Sequence, residues 1–306
     1  MSNRMFPGIA PWSPGIHNRV FFAVWIVVGM LVLCLLGALV PSPVGSYAES
    51  GPWREVAVGL YVGEFASPFS QDSSGAGITV VRIDPKYYSF RLLAASEHGR
   101  QRMTMKEWCR NHDLVAAVNA GMFQEDGITS VGYMKNFSHI NNPRVSRENT
   151  FLAFNPTTPD EPEIRIIDRE CEDFNALKRR YGTLVQSIRM ISCQRQNVWS
   201  PQSARWSTVA VGTDTNGNVL FLFNQSPRSV HEFIEILLAL PLSLTNAMYL
   251  EGGPQASLYL STGGTAIERY GSLETGFRNG ESIRIALPLP NVIGIVKKDP
   301  ARDREG

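Results

Sequence analysis

Short apolar runs alternate along this chain with clusters of glycine, proline, asparagine and aspartate. Runs of strand length recur at residues 54–62, 78–83, 88–95, 114–119, 150–154, 163–168, 183–191, 207–213, 218–223, 246–250, 256–260 and 282–286. Thr215-Asn-Gly-Asn218 separates two of them and predicts a hairpin, because Asn-Gly accepts the positive φ of a tight turn. Helical signals are fewer. Thr104-Met-Lys-Glu107 has the spacing of a capping box and opens a helix to about Asn111. Ser229-Val-His-Glu232 opens an apolar helix to about Leu240, and residues 172–181 predict a third that ends near Gly182. Strands outnumber helices, so the expected fold class is α+β: a single mixed-sheet domain with helices packed on it, not a doubly wound sheet.

One apolar run is of a different kind. Val20 to Val40 is 21 consecutive residues without a charge. As a helix it would be about 31 Å long, the thickness of a bilayer's hydrocarbon core. Arg4 and Arg19 precede it, and no Lys or Arg follows until Arg54. The positive-inside rule then places residues 1–19 in the cytoplasm and everything after residue 40 outside it. The segment reads as a signal anchor or as a signal peptide cut after Ser46-Tyr47-Ala48, and its length favours the anchor. Residues 41–52 read as a flexible linker, residues 53–296 as the domain proper and residues 297–306 as a charged tail.

Charge narrows the function. With 29 basic and 28 acidic residues and no dense Lys/Arg cluster, the chain lacks the basic stripe of a nucleic-acid binder, so no nucleic-acid partner is expected. The cysteines are Cys34, Cys109, Cys171 and Cys193, and their spacing does not resemble a zinc site. Outside the cytoplasm a disulfide is expected, and Cys171–Cys193 is the preferred pair because the two flank one helix-and-strand unit. Cys109 is then free and buried.

Two strand ends carry the candidate chemistry. Ala247-Met-Tyr-Leu250 runs into Glu251-Gly252-Gly253-Pro254. A carboxylate at the tip of a core strand is costly unless it is paired or used, and glycines behind it let backbone N–H groups approach a ligand. Leu114 to Val118 likewise runs into Asn119, with Gly121 just behind. The alternatives are a solvated turn for the first and a locally bonded Asn for the second. The long loop after Phe123 carries Asp126 and His139. Arg205 and Thr208 open a strand where charge-assisted hydrogen bonds can hold a phosphate. Gln186 and Arg189 lie in a strand whose alternation points them to opposite faces, so at most one faces the site. No G-x-S-x-G elbow, phosphate loop or H-E-x-x-H motif is present.

Taken in order, these motifs resemble the phosphodiester glycosidase family. The resemblance rests on Asn119 to Phe123, the strand from Arg205 to Asp214, the capped helix after Ser229, and Leu250-Glu-Gly-Gly253 with Ser257 beyond, from about residue 78 to 286. Two positions depart from it: Glu251 stands where the family has Asp, and Ile188-Arg189 replaces a usual Gly-Pro. The resemblance implies hydrolysis of a sugar-1-phosphodiester in cell-envelope or exopolysaccharide glycans. Glu251 would act as base, nucleophile or electrostatic partner, because cleavage at an anomeric carbon develops oxocarbenium character. Arg205, with Arg189, would stabilise the departing phosphate. Asn119 and the Gly252 and Gly253 backbone would orient the substrate, with Gly121, Gln186, Thr208, Asp126 and His139 as further binding candidates. No cofactor and no metal are expected; the spacing around Asp126 does not support Ca²⁺. The alternative is a non-catalytic glycan-binding or exopolysaccharide assembly protein on the same scaffold.

Overall fold

The computed structural model describes residues 52–69, 77–272 and 284–299. The chain divides into two units, residues 1–50 and 51–306, and every described residue belongs to the second. The expected membrane segment 20–40, the stretches 1–19 and 41–51, and the tail beyond Asp299 lie outside the described residues. No described helix is long and apolar enough to cross a membrane.

The strands in chain order are β1 (Trp53–Ala57), β2 (Leu60–Phe65), β3 (Ile78–Ile83), β4 (Tyr88–Ala94), β5 (Ala116–Asn119), β6 (Met134–Asn136), β7 (His139–Asn142), β8 (Thr150–Pro156), β9 (Ile164–Asp168), β10 (Tyr181–Ser187), β11 (Arg189–Ile191), β12 (Trp206–Asp214), β13 (Val219–Arg228), β14 (Leu244–Gly252), β15 (Ser257–Thr262), β16 (Thr265–Tyr270) and β17 (Asn291–Lys297). Among the described residues three α-helices join them: α1 (Met105–Asn111), α2 (Phe174–Leu177) and α3 (Val230–Ala239). Both expected capping boxes form, Thr104 with Glu107 and Ser229 with Glu232.

The strands build three sheets, in the orders β1-β2-β3-β13-β12-β14-β11, β7-β6-β10-β8-β9 and β16-β15-β5-β17-β4. The fold is mostly sheet with few helices, but the mixed sheet expected from sequence does not form. Every pairing between described strands is antiparallel. Parallel neighbours need long crossovers, and three short helices do not supply them.

The inner faces of all three sheets meet in one core. Val209, Phe221 and Leu250 of the first sheet share a buried cluster with Leu152 and Val185 of the second and with Val118 and Ile293 of the third. Each outer face is covered by one helix. Phe233 and Leu237 of α3 pack with Leu222 and Tyr249, Trp108 of α1 packs with Ala117 and Val292, and Phe174 of α2 stacks on Phe151 at 3.8 Å. Burial on both faces is why these strands read as near-continuous apolar runs.

Several boundaries differ from the sequence reading. Residues 54–62 form two strands of a hairpin, β1 and β2. Residues 183–191 are not one strand: the chain leaves the second sheet after Ser187 and enters the first at Arg189. The helix over 172–181 contracts to α2, because Tyr181 already starts β10 in a sheet. Residues 284–286 are not strand, and 282–283 lie outside the described residues. Lys297, assigned to the tail, closes β17, and β6, β7, β16 and β17 were not anticipated. The hairpin at residues 215–218 forms, with Gly217 at φ +80°. Cys171 and Cys193 form a disulfide, and Cys109 is free and buried, its thiol pushed up to about 12 by that burial.

Candidate active site

Near its C-terminal end β14 slips by one residue against its partner β12. Ala210 faces Tyr249 and Val209 faces Glu251, so Leu250 has no opposite number. A bulge of this kind bends a strand and re-aims its side chains, and here it falls directly before the carboxylate. Glu251 is only 6% exposed. Its Oε1 accepts a hydrogen bond from the Gly252 N–H at 3.0 Å. Among the described residues no Lys or Arg pairs with it. Burial pushes its carboxyl up to about 7, with the Gly252 N–H opposing the shift. A group poised there can take or release a proton near neutral pH.

The two glycines behind it have different jobs. A Cβ on Gly252 would lie 2.0 Å from Tyr249 Oη and 2.5 Å from Trp206 Nε1. The phenol and indole therefore close against bare backbone, held by a Trp206 Nε1–Tyr249 Oη hydrogen bond of 3.2 Å. Burial, and then the charge of Glu251, raises the Tyr249 phenol. Gly253 has φ +66°, which turns the chain into a short 3-10 segment at residues 253–255.

Asn119, 2% exposed at the end of β5, holds the far side of that turn. Its Nδ2 donates to the Gln255 carbonyl at 3.0 Å, and its Oδ1 accepts from the Ser257 N–H at 2.8 Å. The side chain thus pins the segment four to six residues past Glu251, which makes it a positioning residue. Gly121 follows at φ +92°. Met122 then packs with Ile188, Trp199 and Trp206 on the cluster that contains Tyr249. Thr208 faces Gly252 across the ladder, fully buried, with its Oγ1 unpartnered. The structure therefore gathers Thr208, Glu251, Gly252 and Gly253 at the paired ends of β12 and β14, with Asn119 of the third sheet bonded to the turn that follows and Gly121 just beyond Asn119.

The remaining candidates are bound to other protein groups. Gln186 Oε1 accepts from the N–H groups of Tyr133 and Ser146, and its Nε2 donates to the carbonyls of Ser146 and Glu148. It is a strut for the long loop. Arg189 pairs with the buried Asp168 at 3.1 Å and with Glu170 at 2.7 Å. Asp168 also accepts from the Cys193 N–H, which ties this network to the disulfide. Arg205 bonds Glu232 at 2.9 Å, at the start of α3. Asp126 accepts from the N–H groups of Ile128 and Thr129 and from the Thr129 hydroxyl, and these bonds lower its carboxyl to about 2. His139 Nε2 meets Ser96 Oγ at 2.9 Å. Sequence reasoning missed Trp199 and Trp206. Trp206 lies between Arg205 and the strand predicted at 207–213, and an aromatic at that strand mouth was the available signal.

The site thus sets the buried Glu251 carboxylate beside glycine backbone and the rings of Tyr249 and Trp206, in a sheet-rich domain. The sequence matches the phosphodiester glycosidase family over residues 112–296, and the chain belongs to that family of glycosidases. The fold is similar to the catalytic domain of zebrafish N-acetylglucosamine-1-phosphodiester alpha-N-acetylglucosaminidase, auto-inhibited by its pro-peptide. That match has a TM-score of 0.54 at 12% identity and covers 82% of this chain and 86% of the other. It is also similar to a hypothetical protein from Synechocystis, with a TM-score of 0.53 at 16% identity, covering 82% of this chain and 65% of the other. No curated protein sequence matches.

Proposed function

We propose that this chain hydrolyses a sugar-1-phosphodiester, with Glu251 as the essential carboxylate, in a membrane-tethered domain outside the cytoplasm. The observation that carries the reading is the buried Glu251 carboxyl, raised to about 7 and held by the Gly252 N–H at the end of β14. Water oxygen bonds to the anomeric carbon, the bond from that carbon to the phosphate oxygen breaks, and the phosphate leaves as a monoester. As the bond breaks, positive charge grows on the sugar ring, and the ionised Glu251 stabilises it or takes the proton of the attacking water. The phosphate is already a good leaving group and needs charge stabilisation more than a proton. Arg205 is the candidate for that role, released from or shared with Glu232.

The charge-free run at 20–40, flanked by Arg19 and then by no cation until Arg54, supports the tether. The Cys171–Cys193 disulfide supports an oxidising compartment. A cell-envelope or exopolysaccharide glycan is the expected substrate. The zebrafish enzyme's own name supplies the probe chemistry. The test is release of N-acetylglucosamine from UDP-N-acetylglucosamine by the purified chain, with Glu251→Gln beside it. Turnover lost in the variant supports the reading; folded wild-type protein that binds glycans but turns over no sugar phosphodiester supports the assembly alternative.

A further inference from the structure

Beside the Glu251 site runs a groove of about 580 Å³, between residues 147–149 and the loop 198–202. Its size falls within the range of about 300–1,000 Å³ typical of small-ligand sites. Trp199 lines it, together with Ile188, Pro201, Gln202, Asn149 and Arg147. Trp199 is only partly buried, yet it is fixed by three hydrogen bonds. Its N–H donates to Asn197 Oδ1 at 3.1 Å, its carbonyl meets His231 Nδ1 at 2.5 Å, and its Nε1 donates to the Arg189 carbonyl at 2.7 Å. Asn197 is in turn anchored on α3 through the His231 carbonyl at 3.1 Å and Glu235 Oε1 at 2.6 Å. A surface indole held this firmly is preorganised, so a ligand that stacks on it does not have to order it.

The buried Tyr249 ring links the groove to the strand that ends at Glu251. The Trp199 ring lies 5.7 Å from that of Tyr249, tilted by 33°, two residues before Glu251. The Ile188 carbonyl accepts the Tyr249 N–H at 2.8 Å. The lining chemistry is a flat apolar ring edged by amides. Gln202 Nε2 is buried without a partner, a donor lacking its acceptor. Each lining charge has a counter-charge: Arg147 lies 3.6 Å from Glu148, and Arg189 is paired with Asp168 and Glu170. A pyranose fits such a surface, with an apolar C–H face for the indole and hydroxyls for the amides.

We propose that this groove binds a neutral oligosaccharide, with Trp199 as its stacking platform and the Gln202 amide, turned outward on binding, as a hydrogen-bond donor. The proposal rests on the reading of Glu251 given above, in that the oligosaccharide is the part of the substrate that extends away from the scissile bond. The test uses the full chain, purified in detergent, as wild type and in the Glu251→Gln background. Chitohexaose, maltohexaose and monomeric N-acetylglucosamine are titrated by tryptophan fluorescence and calorimetry. One hexasaccharide should bind saturably and about tenfold or more tighter than the monomer. Trp199→Ala should weaken it by about tenfold or more, and Trp199→Phe by much less. Should Trp199→Ala lose its thermal transition, Gln202→Ala decides, since it removes a donor that has no partner in the fold. Absence of saturable binding to either hexasaccharide by the wild type overturns the proposal, and so does undiminished binding by the deciding variant. Hexasaccharide binding without UDP-N-acetylglucosamine hydrolysis counts against the reaction and leaves the groove standing. Hydrolysis without binding does the reverse.

Discussion

Burial holds the proton on Glu251 to about pH 7, whereas an ordinary glutamate releases it near 4.5. Between those two values the unfolded chain ionises first, so it binds fewer protons than the folded one and stability falls as pH rises. Above about 7 both states are ionised and the loss levels off, at no more than about 3 kcal/mol for a shift of this size. Glu251→Gln removes the titration, so the variant should melt higher than wild type at pH 8 and show a smaller difference at pH 4.5; thermal scans at both values check this. The same substitution should cut sugar release by about 10³-fold or more. If ionised Glu251 drives the reaction, kcat/KM for the wild type should climb as pH passes through about 7, and a pH–rate profile reads that limb directly. A variant that gains stability while losing activity would mark the carboxylate as held against the preference of the fold.

The connection from β14 to β15 depends on two small features, and each predicts its own defect. A methyl at residue 252 has nowhere to go, with Tyr249 Oη at 2.0 Å and Trp206 Nε1 at 2.5 Å. Gly252→Ala should cost about 1–3 kcal/mol and displace both rings, which denaturant unfolding and near-ultraviolet circular dichroism would report. Asn119→Ala leaves the Gln255 carbonyl and the Ser257 N–H without their partner. It should destabilise by roughly 1–3 kcal/mol and lower kcat more than it raises KM, since the side chain holds the turn and not the ligand. Both strand ends were legible beforehand, because an apolar run broken by a polar residue and glycines needs no tertiary knowledge. So were the capping boxes and the Asn-Gly hairpin, whose signals are local. The break at Ile188 was not legible: Leu184 to Met190 alternates as a single strand would, and only the competition between two sheets for its halves divides it. Arg189 and Gln186 read as ligand contacts for the same reason. Their partners, Asp168 and the loop 133–148, are brought to them by long-range packing that no window of sequence displays.

The three sheets share one core but are closed by different devices. Cys171–Cys193 ties the end of β9 to the segment after β11, across 22 residues and two sheets. Its removal by Cys→Ser at both positions should cost about 3 kcal/mol, read as a drop in melting temperature that reductant reproduces in the wild type. The third sheet is closed from the far end of the chain. Its strand order places β17, residues 291–297, between β4 and β5, which do not pair with each other. A chain stopped before Asn291 should therefore fail to become protease-resistant, although Glu251, Asn119 and the disulfide are all present in it.

That insertion also sets the timing of folding. Whatever delivers the polypeptide N-terminus first, a ribosome or a channel across a bilayer, releases β4 some two hundred residues before the strand that bonds to it. Until β17 emerges, both edges of β4 and at least one edge of β5 lie open to any other chain with a free edge of its own. Such a protein has a long vulnerable interval built into its topology, and its yield should depend less on the strength of the finished core than on how well those edges are shielded while the rest of the chain arrives.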